Sequence, residues 1–211
     1  MVALIHSEAF ALDFQFRNIF FAAKLEAGEV TPEVQNVDVG GIAEGVIESF
    51  RHEARRKSIS VNLSIDNSYR SEKTFRTDAE KLRLILSNLL SNAINFSHEG
   101  NRVEINGWYE DENLCFEVKD YGIGISDENI NIIFDRFKRV DSGINSLNRG
   151  HGLGLSVNKA IIDMLNGSIS VTSEFGKGTS VSFRLPELDE STSDFASEAN
   201  EFFFEGDEET F

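Results

Sequence analysis

The sequence predicts an α+β fold, with one mixed, mostly antiparallel sheet, helices packed on one of its faces and a separate helix at the N-terminus. Two hairpins carry the expectation. RVEINGWYE and NLCFEVKD flank a turn at Asp111 to Asn113, and SISVTSEF and TSVSFRL flank the turn GKG. Helical periodicity before and between these hairpins is the third observation, because interspersed helices must bury their apolar stripes against the sheet.

Residues 1–27 predict a helix. Ile5, Ala9, Leu12, Phe16, Ile19 and Ala23 recur at alternating spacings of four and three, the seam pattern of a helical bundle, and Gly28 supplies the stop. Phe10, Phe14, Phe20 and Phe21 widen the apolar surface, so the helix packs against more than one neighbour; an amphipathic helix lying on the domain's own core is the competing reading. A linker over 29–37, containing Pro32, leads to a second helical segment over 38–57. It has Ile42, Val46, Ile47 and Phe50 on one side and a basic finish that suits the helix dipole. VNLSID (61–66) alternates as a strand, and TFRT (74–77) is expected to pair with it. Thr77 and Glu80 form a capping box for a helix running to about Ser97. After the first hairpin, Ser126 caps a short helix through Ile133, and Gly152 to Asn166 forms another that ends at Gly167. From Glu187 the pattern dissolves into a tail rich in Ser, Glu and Phe that is expected to be disordered. The division is therefore an N-terminal helix (1–28), a linker (29–37), a folded domain (38–186) and a tail (187–211).

At 211 residues, with 40% hydrophobic residues and two prolines, the chain suits one domain of about 150 residues plus appendages. No apolar run approaches a bilayer span and no export signal is visible, so a cytoplasmic location is expected, with a larger parent free to be membrane-tethered. The single cysteine, Cys115, lies in an alternating apolar segment where a buried thiol is the ordinary occupant. A net charge of -16 argues against nucleic-acid binding. Ten acidic residues and no basic ones fall after Pro186, which leaves -6 on the rest of the chain.

Three segments carry candidate chemistry. On the helix after Thr77, Leu82, Ile85, Leu86, Leu89, Leu90 and Ala93 make the apolar face, while Asn88, Asn92 and Asn95 share another side. Asparagine is a mediocre helix former, so three in register point either to a solvated polar face or to a ligand. Amide oxygens suit Mg²⁺. VKDYGIGI places Asp120 at a strand end before Gly122 and Gly124, which is either a tight turn or a carboxylate able to accept a hydrogen bond from an exocyclic amine such as that of adenine. NRGHGLGLSV places Gly150, Gly152 and Gly154 before a helix whose N–H groups can hold phosphate. The weakly apolar stretch from Arg139 to Asn148 reads as a lid, and Arg139 and Arg149 are the cations available to a triphosphate. A P-loop is absent from the sequence.

Taken in order, LSNLLSNAINFS, VKDYGIGI, IFDRFKRVD, GHGLGLSV and GKGTSVSF resemble the asparagine box, first glycine box, phenylalanine box, second glycine box and third glycine box of sensor histidine kinase catalytic domains. The resemblance covers about residues 38–186, and KLEAGEV resembles the end of the second dimerisation helix in that family. It implies the two-layer α/β sandwich of the Bergerat ATP-binding fold, shared with gyrase, chaperone and mismatch-repair ATPases. It further implies ATP and Mg²⁺ as ligands, with Asn92 on the metal and Asn88 assisting, and Asp120 on the adenine amine. Gly122, Gly124, Asn95, Phe96 and Thr179 would line the nucleotide pocket. Gly152, Leu153, Gly154 and Leu155 would form the lid hinge and helix start, Arg139 would reach phosphate, and Phe134 and Phe137 would pack beneath the lid. Implied partners are the dimerisation and histidine-phosphotransfer domain of a parent kinase, a response regulator receiver domain, and a second copy through the N-terminal helix.

Two positions depart from the family pattern. Asn95 stands where many members have a phosphate-contacting lysine, and His151 where a small residue is common. Hydrolytic relatives generally have glutamate at the position of Asn88, and a neutral amide cannot take a proton from water. That favours transfer to a protein nucleophile. No acceptor histidine is assigned, because His6 precedes Lys24 by only 18 residues, too few for a helical hairpin, and His52, His98 and His151 lie in other contexts. A regulatory nucleotide-binding module and an interaction protein acting through its acidic tail are the competing functions.

Overall fold

The computed structural model describes residues 2–66, 74–130, 132–134 and 153–189, with the side chains of residues 2–8, 10 and 11 outside that description. A five-stranded sheet organises the chain. Its strands are β2 (Ser60–Asp66), β4 (Arg102–Glu110), β5 (Asn113–Asp120), β6 (Ser168–Glu174) and β7 (Gly178–Pro186), in the order β2-β4-β5-β7-β6. Only β2 and β4 run parallel; the other three pairs are antiparallel. The register puts Val61, Val103, Val118 and Val181 on one face with Leu63, Ile105, Phe116 and Phe183. Asn106, Glu117 and Ser182 occupy the opposite, polar face. A period-2 sequence with one apolar side produces this arrangement.

Helices cover the apolar face. They are α2 (Val39–Ser49), α4 (Ala79–Phe96) and α6 (Gly154–Met164), with the short α3 (Arg51–Arg56) and α5 (Asp127–Ile130) beside them. All six residues expected on the apolar side of α4 are buried. The segment expected as one helix over 38–57 is two, because Phe50 leaves helical geometry at φ -95, ψ 4. Its N–H is shared between the carbonyls of Val46 and Ile47, both at 3.2 Å. Its ring is buried, edge-on to Phe14 at 5.5 Å.

Two further expectations are corrected. β3 (Thr74–Thr77) pairs antiparallel with β1 (Gln35–Asp38), not with β2, and the pairing sets Phe75 opposite Val37 with both buried. All of β1 but Asp38 lies within the expected linker, and with a single apolar residue in QNVD it has no strand pattern to detect. The cap of α4 is Asp78, not Thr77: Asp78 Oδ1 accepts from the Lys81 N–H at 3.0 Å, while Thr77 Oγ1 has no partner among the described residues. Asp78 Oδ2 also accepts from Lys81 Nζ at 2.5 Å and from the Glu33 N–H at 2.8 Å, and Lys81 Nζ donates to Thr31 O at 2.9 Å. This buried ion pair fastens the linker to the start of α4.

The far end of α4 is held by Lys57, whose ammonium donates to the carbonyls of Ile94 and Asn95 at 2.9 and 2.5 Å. A cation suits a helix C-terminus. Burial, and secondarily Arg56, lowers the Lys57 pKa. α6 ends in a Schellman turn in which Asn166, at φ 56, takes the left-handed position, and Gly167 N–H reaches Ile162 O at 2.8 Å.

α1 (Val2–Glu26) lies against this layer by the face that carries Phe14, Asn18, Phe21, Ala22 and Leu25. The residues of the expected seam point elsewhere: Leu12 is 68% exposed, Phe16 64% and Ile19 47%. Order continues past Pro186, since Leu188 is buried and donates its N–H to Arg76 O at 3.0 Å. The rest of the acidic tail lies outside the described residues. No helix among the described residues is long and apolar enough to cross a membrane.

Candidate functional site

α4 brings the asparagines to the boundary with α6. Asn88 is 1% exposed, and its Nδ2 donates to Asn158 Oδ1 at 2.8 Å and to Gly154 O at 3.3 Å. Its Oδ1 is buried with no partner among the described residues. Asn92 and Asn95 follow on the same side, both half-buried, and Asn95 Nδ2 meets Ser91 Oγ at 3.4 Å. The face is thus graded from a fully enclosed amide to partly open ones.

At the end of β5 the Asp120 carboxylate is 7% exposed. Oδ1 accepts from the N–H of Gly122 at 2.9 Å and of Thr179 at 3.3 Å, which leaves Oδ2 without a partner among the described residues. Burial raises the Asp120 pKa, and the two amide bonds oppose that rise only in part. An acceptor oriented by backbone and held in a poorly solvated place is suited to one directed hydrogen bond from outside.

The glycines around Asp120 have a specific reason to be glycine. A Cβ on Gly122 would overlap the Phe96 carbonyl, one on Gly124 the Glu174 carbonyl, and one on Gly178 the Asp120 carbonyl. Gly124 and Gly178 also have positive φ, 65° and 117°. The close approach is therefore between backbone segments: the end of α4, the end of β5 and the β6–β7 turn. Ile123 N–H completes the junction on Phe96 O at 3.1 Å. Phe96 itself is 43% exposed.

Thr179 is tied to this junction twice, by its N–H on Asp120 and by its hydroxyl, 2.9 Å from Ser173 Oγ. Ser173 also donates to Gly178 O at 2.9 Å and accepts the Ile125 N–H at 2.8 Å. It was not a candidate from sequence, being one serine in an alternating polar strand. Asn158, fully buried on α6, escaped the same way; an asparagine at a core position of an apolar helix was the available signal. At the start of α6, Leu153 is buried and Gly154 and Leu155 are half-buried, with no side-chain cap on the first turn among the described residues. Arg139, Arg149, Gly150, His151, Gly152 and Phe137 lie outside the described residues, as does the side chain of His6; Phe134 is half-buried.

The structure brings together Asp120, Gly122, Gly124, Phe96 and Thr179 at one junction, and Asn88, Gly154 and Asn158 at another along α4. A shallow cleft of about 290 Å³ lined by Gln35, Asp38, Ala79 and Arg83 lies at the opposite end of α4 and contains none of these residues. No cluster of histidine, cysteine, aspartate and glutamate able to hold a metal occurs among the described residues. Oxygen from asparagine is the alternative donor.

The family model described as "Histidine kinase-, DNA gyrase B-, and HSP90-like ATPase" matches residues 77–189. The chain is 30% identical over 186 residues to the circadian input-output histidine kinase CikA of Synechococcus elongatus, which covers 88% of this chain and 24% of that protein. It is 28% identical over 187 residues to the sensor protein SrrB of Staphylococcus aureus, covering 88% and 31%. The chain spans about a quarter to a third of the length of these curated relatives. Full-length ShkA in complex with AMPPNP superposes with a TM-score of 0.73 at 25% identity, over 89% of this chain and 38% of that one. The catalytic domain of histidine kinase ThkA, nucleotide-free, gives 0.63 at 24% identity, over 74% and 96%, a likeness of fold. The mixed sheet with its helical layer is the fold of those catalytic domains.

The overlap at Gly122 makes a stability prediction. Gly122→Ala should lower stability by about 3 kcal/mol, because backbone must move to admit the methyl. Gly176→Ala should lower it by only about 1 kcal/mol, the cost of a left-handed alanine, since that position has positive φ but opens into free space. Urea denaturation midpoints of the two variants check the ranking; equal losses would contradict it.

Proposed function

The chain belongs to the histidine kinase-, DNA gyrase B- and HSP90-like ATPases, and we propose that within that family it is the ATP-binding catalytic domain of a two-component sensor histidine kinase, which transfers the γ-phosphoryl group of ATP to a histidine on a dimerisation domain. The observation that carries the reading is a buried, amide-held carboxylate at the end of β5, beside the end of α4, together with an asparagine face on α4 whose enclosed oxygen has no partner among the described residues.

Adenine binds at the β5 end. Its exocyclic amine donates to Asp120 Oδ2, while Oδ1 stays fixed by Gly122 and Thr179. The triphosphate runs toward the start of α6, where the N–H groups of the first turn and the helix dipole favour anions. Arg139, outside the described residues, is the cation that the family resemblance assigns to the phosphates.

The residues present fit Mg²⁺. Asn88 Oδ1 is a buried acceptor with no partner among the described residues, and Asn92, one turn on, is half-buried on the same side of α4. Asn92 and Asn88 would hold the ion directly or through its water shell. When bound, Mg²⁺ neutralises charge developing on the phosphate oxygens.

Transfer is favoured over hydrolysis by the chemistry of residue 88. Asn88 bonds to Asn158 and a backbone carbonyl, and as an amide it cannot take a proton from water. A histidine nucleophile needs positioning and charge stabilisation in preference to a base. The partners follow: a dimerisation and histidine-phosphotransfer domain, a response regulator receiver domain that accepts the phosphoryl group, and a second copy of the chain through α1.

Asp120→Asn should weaken ATP and ADP binding alike, since the contact is to adenine. Loss of a charge-assisted hydrogen bond costs roughly 1.5–3 kcal/mol, about tenfold to over a hundredfold in affinity. The wild-type affinity should also fall as pH drops through the raised Asp120 pKa, sooner than an ordinary aspartate would titrate, because the ionised form is the acceptor and it is lost below that pKa. Calorimetry reads both effects; unchanged affinity in the folded variant removes Asp120 from the site.

With γ-labelled ATP, this chain should bind nucleotide without labelling itself. Adding a protein with an intact dimerisation hairpin should produce acid-labile, base-stable label on that protein, within the limit that an untethered pair docks weakly. Acid-labile label on the chain alone, lost in His6→Gln, would make His6 the acceptor.

A further inference from the structure

Asn158 is a fully buried amide on α6, between Val157 on one side and the core residues Ile161 and Ile162 on the next turn. An amide at such a position is unfavourable unless its hydrogen bonds are made inside the protein. It makes them across to α4. Nδ2 donates to Ile85 O at 3.1 Å, and Oδ1 accepts from Asn88 Nδ2 at 2.8 Å.

This chain of bonds has a fixed direction. A backbone carbonyl only accepts, so Ile85 O at one end draws the nitrogen of Asn158 toward it and turns the Asn158 oxygen to Asn88. That oxygen in turn draws the nitrogen of Asn88. Gly154 O, 3.3 Å from the same nitrogen, demands the same orientation from the other side. Two carbonyls, on α4 and at the start of α6, therefore decide which way a neutral amide faces. The atom left over is Asn88 Oδ1, buried and unpartnered among the described residues. Without Asn158, only the longer bond to Gly154 O distinguishes the two orientations of the Asn88 amide, and one of them would turn an N–H group toward a cation.

We infer that Asn158 is a positioning residue for the metal side of the site: it fixes the Asn88 amide so that Oδ1, not Nδ2, is presented to Mg²⁺ or to a water of its shell. The inference rests on the nucleotide and Mg²⁺ reading above. Groups that orient a metal ligand from behind commonly cost about 10–100-fold in metal affinity when removed. A single orienting amide, with Gly154 O still in place as a second, belongs at the low end of that range.

The test uses the full chain with Asn158→Val, a change of similar size that removes both bonds. Affinity for AMPPNP is measured by calorimetry with and without MgCl2, and the Asn88 side-chain NH2 pair is followed by NMR, assigned by its loss in Asn88→Asp. The wild type should bind AMPPNP more tightly with Mg²⁺ and show a slowly exchanging Asn88 NH2 pair. Asn158→Val should keep the Mg²⁺-free affinity within about twofold, lose about tenfold of the Mg²⁺-dependent gain, and release the NH2 pair to faster exchange. Val157→Ala, a buried neighbour on the same helix, should lower Tm while keeping the gain. If valine at position 158 unfolds the chain, Asn158→Ala carries the same expectation. Full retention of the Mg²⁺ gain in Asn158→Val, or an equal loss in Val157→Ala, would overturn the inference alone. A wild-type chain with no Mg²⁺ gain would overturn both it and the metal reading.

Discussion

Backbone packing at the end of β5 is the constraint on which the site depends. Three glycines let three pieces of main chain meet where no Cβ can fit: Gly122 against the last residue of α4, Gly124 against the last residue of β6, and Gly178 against Asp120 itself. The contact puts two N–H groups on one carboxylate oxygen. It also fixes the end of α4 relative to the sheet, and α4 carries the asparagines. Asp120 and the asparagine face are therefore parts of one rigid frame, set by the chain's closest approaches.

That frame is tensioned at both ends of α4. At its start, the Asp78–Lys81 pair holds the linker through Thr31 and Glu33; at its end, Lys57 holds the last carbonyls. Breaking a buried pair by removing one partner leaves an uncompensated charge and is strongly destabilising. α1 connects to the same layer through Phe14 on Phe50, while its other apolar side, with Leu12, Phe16 and Ile19, stays exposed. One helix thus carries two apolar faces, of which one is packed on the domain.

The sequence disclosed what has a strong local period. The α4 stripe, both sheet hairpins and the DxGxG junction are short-range patterns, and the structure has each of them where the spacing indicated. β1 was illegible because its strand character comes only from pairing Val37 with Phe75, some 40 residues away. The α2–α3 break was equally hidden, since Phe50 fits a continuous helical stripe and its displacement comes from tertiary packing. Asn158 and Ser173 lie in plain helix and strand patterns, and their roles arise from partners 70 and 6 residues distant. At Gly122, Gly124 and Gly178 what approaches is protein backbone, from segments far apart in the chain that no local pattern shows.

The central claim is that Asp120 and its two amides form the base-binding end of a nucleotide site. The most direct measurement is a two-dimensional amide NMR titration of the chain with ADP lacking added metal. The largest shifts should fall on the N–H groups of Gly122 and Thr179, which share the Asp120 oxygen, with smaller ones at Ile123 and Ile125. Saturable ADP binding that leaves Gly122 and Thr179 unmoved, with shifts centred on the cleft between β1 and α2, would contradict the account.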